Sequence, residues 1–187
     1  MDKFEYMWKI AELEEKVHRL DKEGWLQNEF LTWQWWVLGI FLIVPWLIWL
    51  RMVDKKRIIP ILLFGMLFLI VTSLLDNIGL QFRFWKYPTQ LMPVIPRALP
   101  FDCSMVPVAF MLVYQYFRSW KSYCFALVVV TVLFAFVGEP FSIWAELVVY
   151  IKWKYIYSFI YYIVLGVLIR FFIEKLIRCQ APHVDKS

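Results

Sequence analysis

The chain has 187 residues, 62% of them hydrophobic and only 19% charged, too apolar for an ordinary soluble domain and suited to one integral membrane domain. Its apolar runs are long and continuous. This argues against the alternating ten-residue segments of a transmembrane β-barrel and for helices of about twenty residues per crossing. The formal charge of +5 sits mainly in short segments beside the apolar runs, where Lys and Arg set membrane orientation, so it does not point to nucleic acid.

The first thirty residues are charged, with eight Asp and Glu against five Lys and Arg, and lack the basic-then-apolar order of a cleaved signal. The first span is therefore expected to stay in the mature protein. Tyr6, Ile10, Leu13, Val17 and Leu20 recur at alternating spacings of four and three, predicting an amphipathic helix with about two heptads of coiled-coil seam. Such a helix lies on the membrane or its own bundle, or associates with a second copy or another membrane protein through residues 1–24. Gly24 is expected to interrupt it, and Trp25, Trp33, Trp35 and Trp36 mark the membrane interface.

Five spans follow, at about 33–50, 58–75, 101–117, 123–150 and 155–173, giving an all-α membrane protein with an amphipathic helix in front. The domains read as 1–30, a five-helix bundle over 31–178, and a tail over 179–187. Asp76 and Asn77 are expected to close the second span. A lip with Pro88, Pro93, Pro96 and Pro100 precludes a regular helix before the third, and Pro140 kinks or restarts the fourth. Segments after spans one, three and five hold Arg51, Lys55, Lys56, Arg57, Arg118, Lys121, Lys175, Arg178 and Lys186, with Arg170 close by. Those after spans two and four hold Arg83, Lys86, Arg97, Lys152 and Lys154. The bias predicts a cell-membrane protein, amino terminus outside and carboxyl terminus cytoplasmic.

Candidate function lies in the acids. Counted at about 1.5 Å per residue from the basic boundaries, Asp76, Asp102 and Glu139 come to roughly 27, 22 and 24 Å, a common level beneath the outer surface of a hydrocarbon layer about 30 Å thick. A carboxylate facing lipid there costs on the order of 3 kcal/mol, so the three should face inward and find partners. Arg83, Lys86, Arg97, Lys152 and Lys154 are the available bases. Glu139, Ser142 and Glu146 share a helix face if the turn survives Pro140, and Tyr155, Ser158 and Tyr162 form a polar stripe on the fifth span. The candidate ligand or ion site is thus Asp76, Asp102, Glu139, Glu146, Arg83, Arg97, Ser142, Tyr155 and Ser158. The structural alternative is that each acid caps a helix or pairs with the nearest base.

His18 and His183 lie outside the spans, and no Gly-rich phosphate loop, nucleophile elbow or HExxH occurs. Cys103, Cys124 and Cys179 show no CxxC spacing. No catalytic residue, metal ligand or cofactor is assigned. Three readings follow, in this order: a non-enzymatic membrane component that self-associates or docks a partner; a binding or transport module for an ion or small amphipathic ligand; a membrane enzyme acting on a lipid or isoprenoid.

The segments LLDNIG, FWKYPTQLMPVIPRALPFD, VPVAFMLVYQYFRSWKSY and GEPFSIWAELVVYIKWKYIYS resemble a family of small five-span membrane proteins from spore-forming Bacillus and Clostridium relatives. The fitting positions are Asp76, Trp85, Tyr87, Pro88, Asp102, Tyr114, Gln115, Glu139, Pro140 and Trp153. The resemblance implies five spans and a sporulation context, and carries no particular chemistry. Bacterial tryptophan-rich sensory proteins share the span number and the abundance of Trp as an architectural analogy.

Overall fold

The computed structural model describes residues 2–94 and 96–180; residues 181–187, with His183 and Lys186, lie outside the described part of the predicted tail. The helices are α1 (Lys3–Asn28), α2 (Trp33–Met52), α3 (Ile58–Gln81), α4 (Val106–Tyr116), α5 (Trp120–Leu133), α6 (Glu139–Trp144) and α7 (Tyr155–Gln180). Two-residue strands β1 (Trp85–Lys86) and β2 (Val149–Tyr150) pair antiparallel. The protein is an all-α membrane protein. Among the described residues four helical stretches are long and apolar enough to cross a bilayer: Trp33–Met52, Lys55–Gln81, Trp120–Trp144 and Tyr155–Cys179.

Helix α1 starts with a reciprocal cap. Asp2 Oδ1 accepts from the Glu5 amide and Glu5 Oε2 from the Asp2 amide, both at 2.8 Å. Contrary to expectation, Gly24 does not end it. A mid-helix glycine costs only about 1 kcal/mol, and here the last turns are held by tertiary bonds. Trp25 Nε1 donates to the Gln90 carbonyl at 3.0 Å, Glu29 Oε2 accepts from the Gln90 amide at 2.6 Å, and Asp21 pairs with Arg97 at 3.0 Å. None of its residues is buried, so the predicted seam does not pack on the bundle.

The other boundaries shift for local reasons. Helix α3 runs on past Asp76 and Asn77 to Gln81, because Asn77 bonds back to the Ser73 carbonyl at 2.7 Å instead of capping. Prolines 107 and 140 stay inside continuous helical runs. Each is preceded by a wide π turn, Phe101–Met105 and Phe134–Gly138, which moves the carbonyl four residues back away from the proline ring. Pro107 has no N–H to offer the Cys103 carbonyl, and Trp46 Nε1 from α2 donates to it at 3.0 Å. The run from Trp120 stops at Trp144, short of the predicted end near 150. The chain turns at Glu146, which has a φ of 57°, and leaves as β2.

Residues 101–116 occupy the centre of the bundle, and α4 packs on α2, α3 and α5. Its Phe110 and Tyr114 stack on Phe68 and Phe64 of α3 at 4.4 and 4.7 Å, contacts worth about 1 kcal/mol each beyond their buried area. Lipid supplies little hydrophobic drive between helices, so close packing and interhelical bonds hold the bundle. Gly65 faces Met111 with no room for a side chain, and Tyr123 donates to the Gly166 carbonyl at 2.8 Å.

The bundle end away from the lip is clamped by Gln115 and Arg170. Gln115 donates to the Met52 carbonyl at 2.7 Å and accepts from the Asp54 amide at 3.1 Å. Arg170, expected beside the cytoplasmic exit charges, is 3% exposed. It donates to the carbonyls of Phe117 and Arg118, pairs with Glu174 at 2.7 Å, and stacks on Trp120 and Tyr123. Its fork has the geometry to hold two carbonyls and a carboxylate at once. Replacing Arg170 by Met should cost about 1–3 kcal/mol, since the Phe117 and Arg118 carbonyls lose their donor and Glu174 its shortest ion pair. Arg170→Lys, which keeps the charge but not the fork, should cost less; thermal unfolding in detergent ranks the two.

Candidate functional site

The last turns of α3 and the lip build the first wall of the site. Beyond α3 the chain reverses at Arg83, which has a φ of 57°, and the Phe84 amide returns to the Gly79 carbonyl at 2.9 Å. The Trp85 indole packs against Gly79, where any Cβ would overlap it. Strand β1 pairs with β2, and the amides of Ile151 and Lys152 donate to the Phe84 carbonyl at 2.8 and 3.0 Å. So fixed, Trp85 Nε1 and the Tyr87 hydroxyl both donate to Asp76 Oδ1, at 2.8 and 2.5 Å. Burial, then the neighbouring Asp76 and Asp102 carboxyls, raises the Tyr87 phenol well above its ordinary pKa and keeps it a donor at physiological pH.

Two more carboxyls face the same space. Asp102 comes from the π turn before α4 and is 4% exposed, with Ser73 of α3 beside it. Glu139 opens α6, near the hydroxyls of Ser158 and Tyr150. Trp153 Nε1 donates to Ser158 Oγ at 2.8 Å, and Tyr161 bonds Thr72 at 2.8 Å. Ser73 apart, these side chains line a cleft of about 270 Å³. Asp76 Oδ2, Asp102 Oδ2 and Glu139 Oε2 are each buried with no hydrogen-bond partner. Among the described residues none of the three acids makes an ion pair, and no Lys, Arg or His lines the cleft.

Of the predicted site residues, Asp76, Asp102, Glu139, Ser142 and Ser158 line this cleft. The other four do not. Glu146 is exposed in the turn after α6, beside a second hollow formed with Gly24, Glu29, Thr32 and Pro88; the early end of α6 breaks the spacing expected to align it with Glu139. Arg97 is taken by Asp21 of α1, and Arg83 is exposed at the chain reversal. Tyr155 sits at the start of α7 against the Tyr150 ring at 5.9 Å. The acids are thus not matched to the lip's bases, which was one of the two arrangements of the structural alternative, and Asp76 is held by neutral donors.

Sequence reasoning missed the aromatic donors. Trp85 and Tyr87 follow Asp76 by nine and eleven residues, and their N–H and O–H groups were the available signal. Tyr150 was placed on a helix that does not extend so far. Among the described residues no three of His, Cys, Asp and Glu gather closely enough to hold a metal ion.

Asp76→Ala strands two buried donors, each costing about 1–3 kcal/mol. Asp76→Asn keeps an acceptor for both and should retain most of that stability, a difference that thermal unfolding of the two variants in detergent would measure. Comparison with family models, with curated proteins and with solved structures returns no match to this chain, so the chemistry of the cleft itself is what speaks to its role.

Proposed function

We propose that the protein is a membrane binding or transport module whose cleft receives a small amphipathic ligand. The observation that carries this reading is the pocket itself. Apolar and aromatic walls surround a few convergent polar groups, and the volume suits a small molecule. Among the described residues none of the three acids is tied to a base, and each keeps one buried oxygen without a partner. The chain crosses the bilayer five times in this reading, with the 101–116 segment as a short central crossing shielded from lipid by its neighbours. Positive-inside bias then puts the lip and α1 outside and the Arg170 end in the cytoplasm. Kinship with the five-span spore-former family fits as well, since Asp76, Trp85, Tyr87, Asp102, Glu139 and Trp153 of the resembling positions all line the cleft.

The test is ligand-dependent melting in detergent with benzylamine, benzoate and benzyl alcohol. At ten times its Kd a bound probe adds about 1.4 kcal/mol to stability. At least one of the three should stabilise the protein, and Leu75→Trp, which fills the mouth from a 41% exposed lining position, should remove the effect. Equal melting with and without every probe would count against the reading.

Self-association through α1 is favoured by a separate observation. Its seam is bare, with Ile10, Leu13, Val17 and Leu20 each 54–68% exposed. Ile10 and Val17 take the a positions and Leu13 and Leu20 the d positions, the choice that favours a parallel two-stranded coil. In that register Lys9 of one copy faces Glu14 of the other. With Cys103, Cys124 and Cys179 replaced by Ser, Leu13→Cys should cross-link under mild oxidation to a dimer on non-reducing gels. Adding Val17→Glu should abolish the band, and a monomer throughout would overturn this reading.

A further inference from the structure

From the charge balance and wall chemistry of the cleft we infer that its ligand is an organic cation, a substituted ammonium carrying an apolar aryl or alkyl body. This rests on the reading of the cleft as a ligand site. Among the described residues its lining holds three carboxyls from three separate parts of the chain and no base. The bases of the lip are directed elsewhere: Arg97 is bound to Asp21, and Arg83, Lys86, Lys152 and Lys154 are exposed outside the cleft. A carboxylate shut away from water is stable only with a counter-charge or a proton, and each acid keeps one buried oxygen unbonded. Asp102 and Asp76 are only 4% and 6% exposed.

The walls narrow the class further. Eleven of the twenty-four lining residues are aromatic, and ring faces attract a diffuse cation while offering no advantage to an anion. Trp85 and Trp153, both in the lining, meet edge to face at 4.8 Å and are the indole rings available to an alkylated nitrogen. A bare metal ion fits poorly, because the acids do not converge on one coordination point. A zwitterionic lipid headgroup would also bring a phosphate among acids, with no base in the lining to meet it. The cleft therefore suits a freely diffusing ammonium better than a phosphocholine lipid.

Titration calorimetry of the full chain in maltoside tests this with three probes. They are benzyltrimethylammonium, the neutral N,N-dimethylbenzamide of similar size, and dodecylphosphocholine below its micelle concentration. The cation should bind at least tenfold more tightly than the amide. Asp102→Asn and, separately, the less buried Glu139→Gln should each weaken the cation tenfold or more while changing amide binding less than threefold. Two variants guard against one that fails to fold, with melting of the unliganded proteins as the control. Equal binding of cation and amide, unaffected by either variant, would overturn the charge inference and leave the cleft as a ligand site. Tighter binding of dodecylphosphocholine than of the free cation would reject the soluble source in favour of the lipid headgroup. Binding of none of the three would remove both this inference and the reading beneath it.

Discussion

A carboxyl group inside an apolar bundle must be met by donors, and at Asp76 both come from the eleven residues that follow it. Trp85 and Tyr87 reach back to one oxygen, and that geometry requires the chain to reverse at Arg83 and the indole to lie on Gly79. The strand pair with 149–150 then anchors the turn after α6 over the same space. The start of the lip, residues 82–87, is thus a folded wall built around a single buried acceptor, and its later part is tied to α1 through Gln90 and Arg97. Because its donors are neutral and no base lines the site among the described residues, Asp76 is held without an ion pair.

The opposite end of the bundle solves the same problem with the opposite sign. Arg170 is buried and fully engaged by two carbonyls and Glu174, with rings on its faces. A complete set of partners makes it a clamp. The incomplete sets at Asp76, Asp102 and Glu139 lie where α3, the two π turns and α7 leave a gap. The π turns contribute directly, since each lets a proline remain in its helix while widening the backbone next to an acid.

Much of this was legible from residue order. Long apolar runs define membrane helices whatever their neighbours do, and the level of Asp76, Asp102 and Glu139 followed from counting rises along helices of known pitch. The count survived the π turns because one extra residue per run moves an acid by only about 1.5 Å. Glu146 failed because its place depended on the helix outlasting Trp144, and the Thr89 hydroxyl instead holds the Glu146 carbonyl at 3.0 Å in a turn tied to the lip. Arg97 failed because its partner, Asp21, is 76 residues away in a helix read as separate from the bundle.

The sequence by itself determined a membrane protein of helices and brought Asp76, Asp102 and Glu139 to a common level along them, because hydropathy and helical rise are local properties summed along the chain. Only the tertiary structure decided that the acids surround one cleft, that aromatic N–H and O–H groups rather than bases attend them, and that Arg170 is a buried clamp. Which donor reaches a buried charge depends on side chains brought together from distant segments, and spacing along one helix carries no record of them.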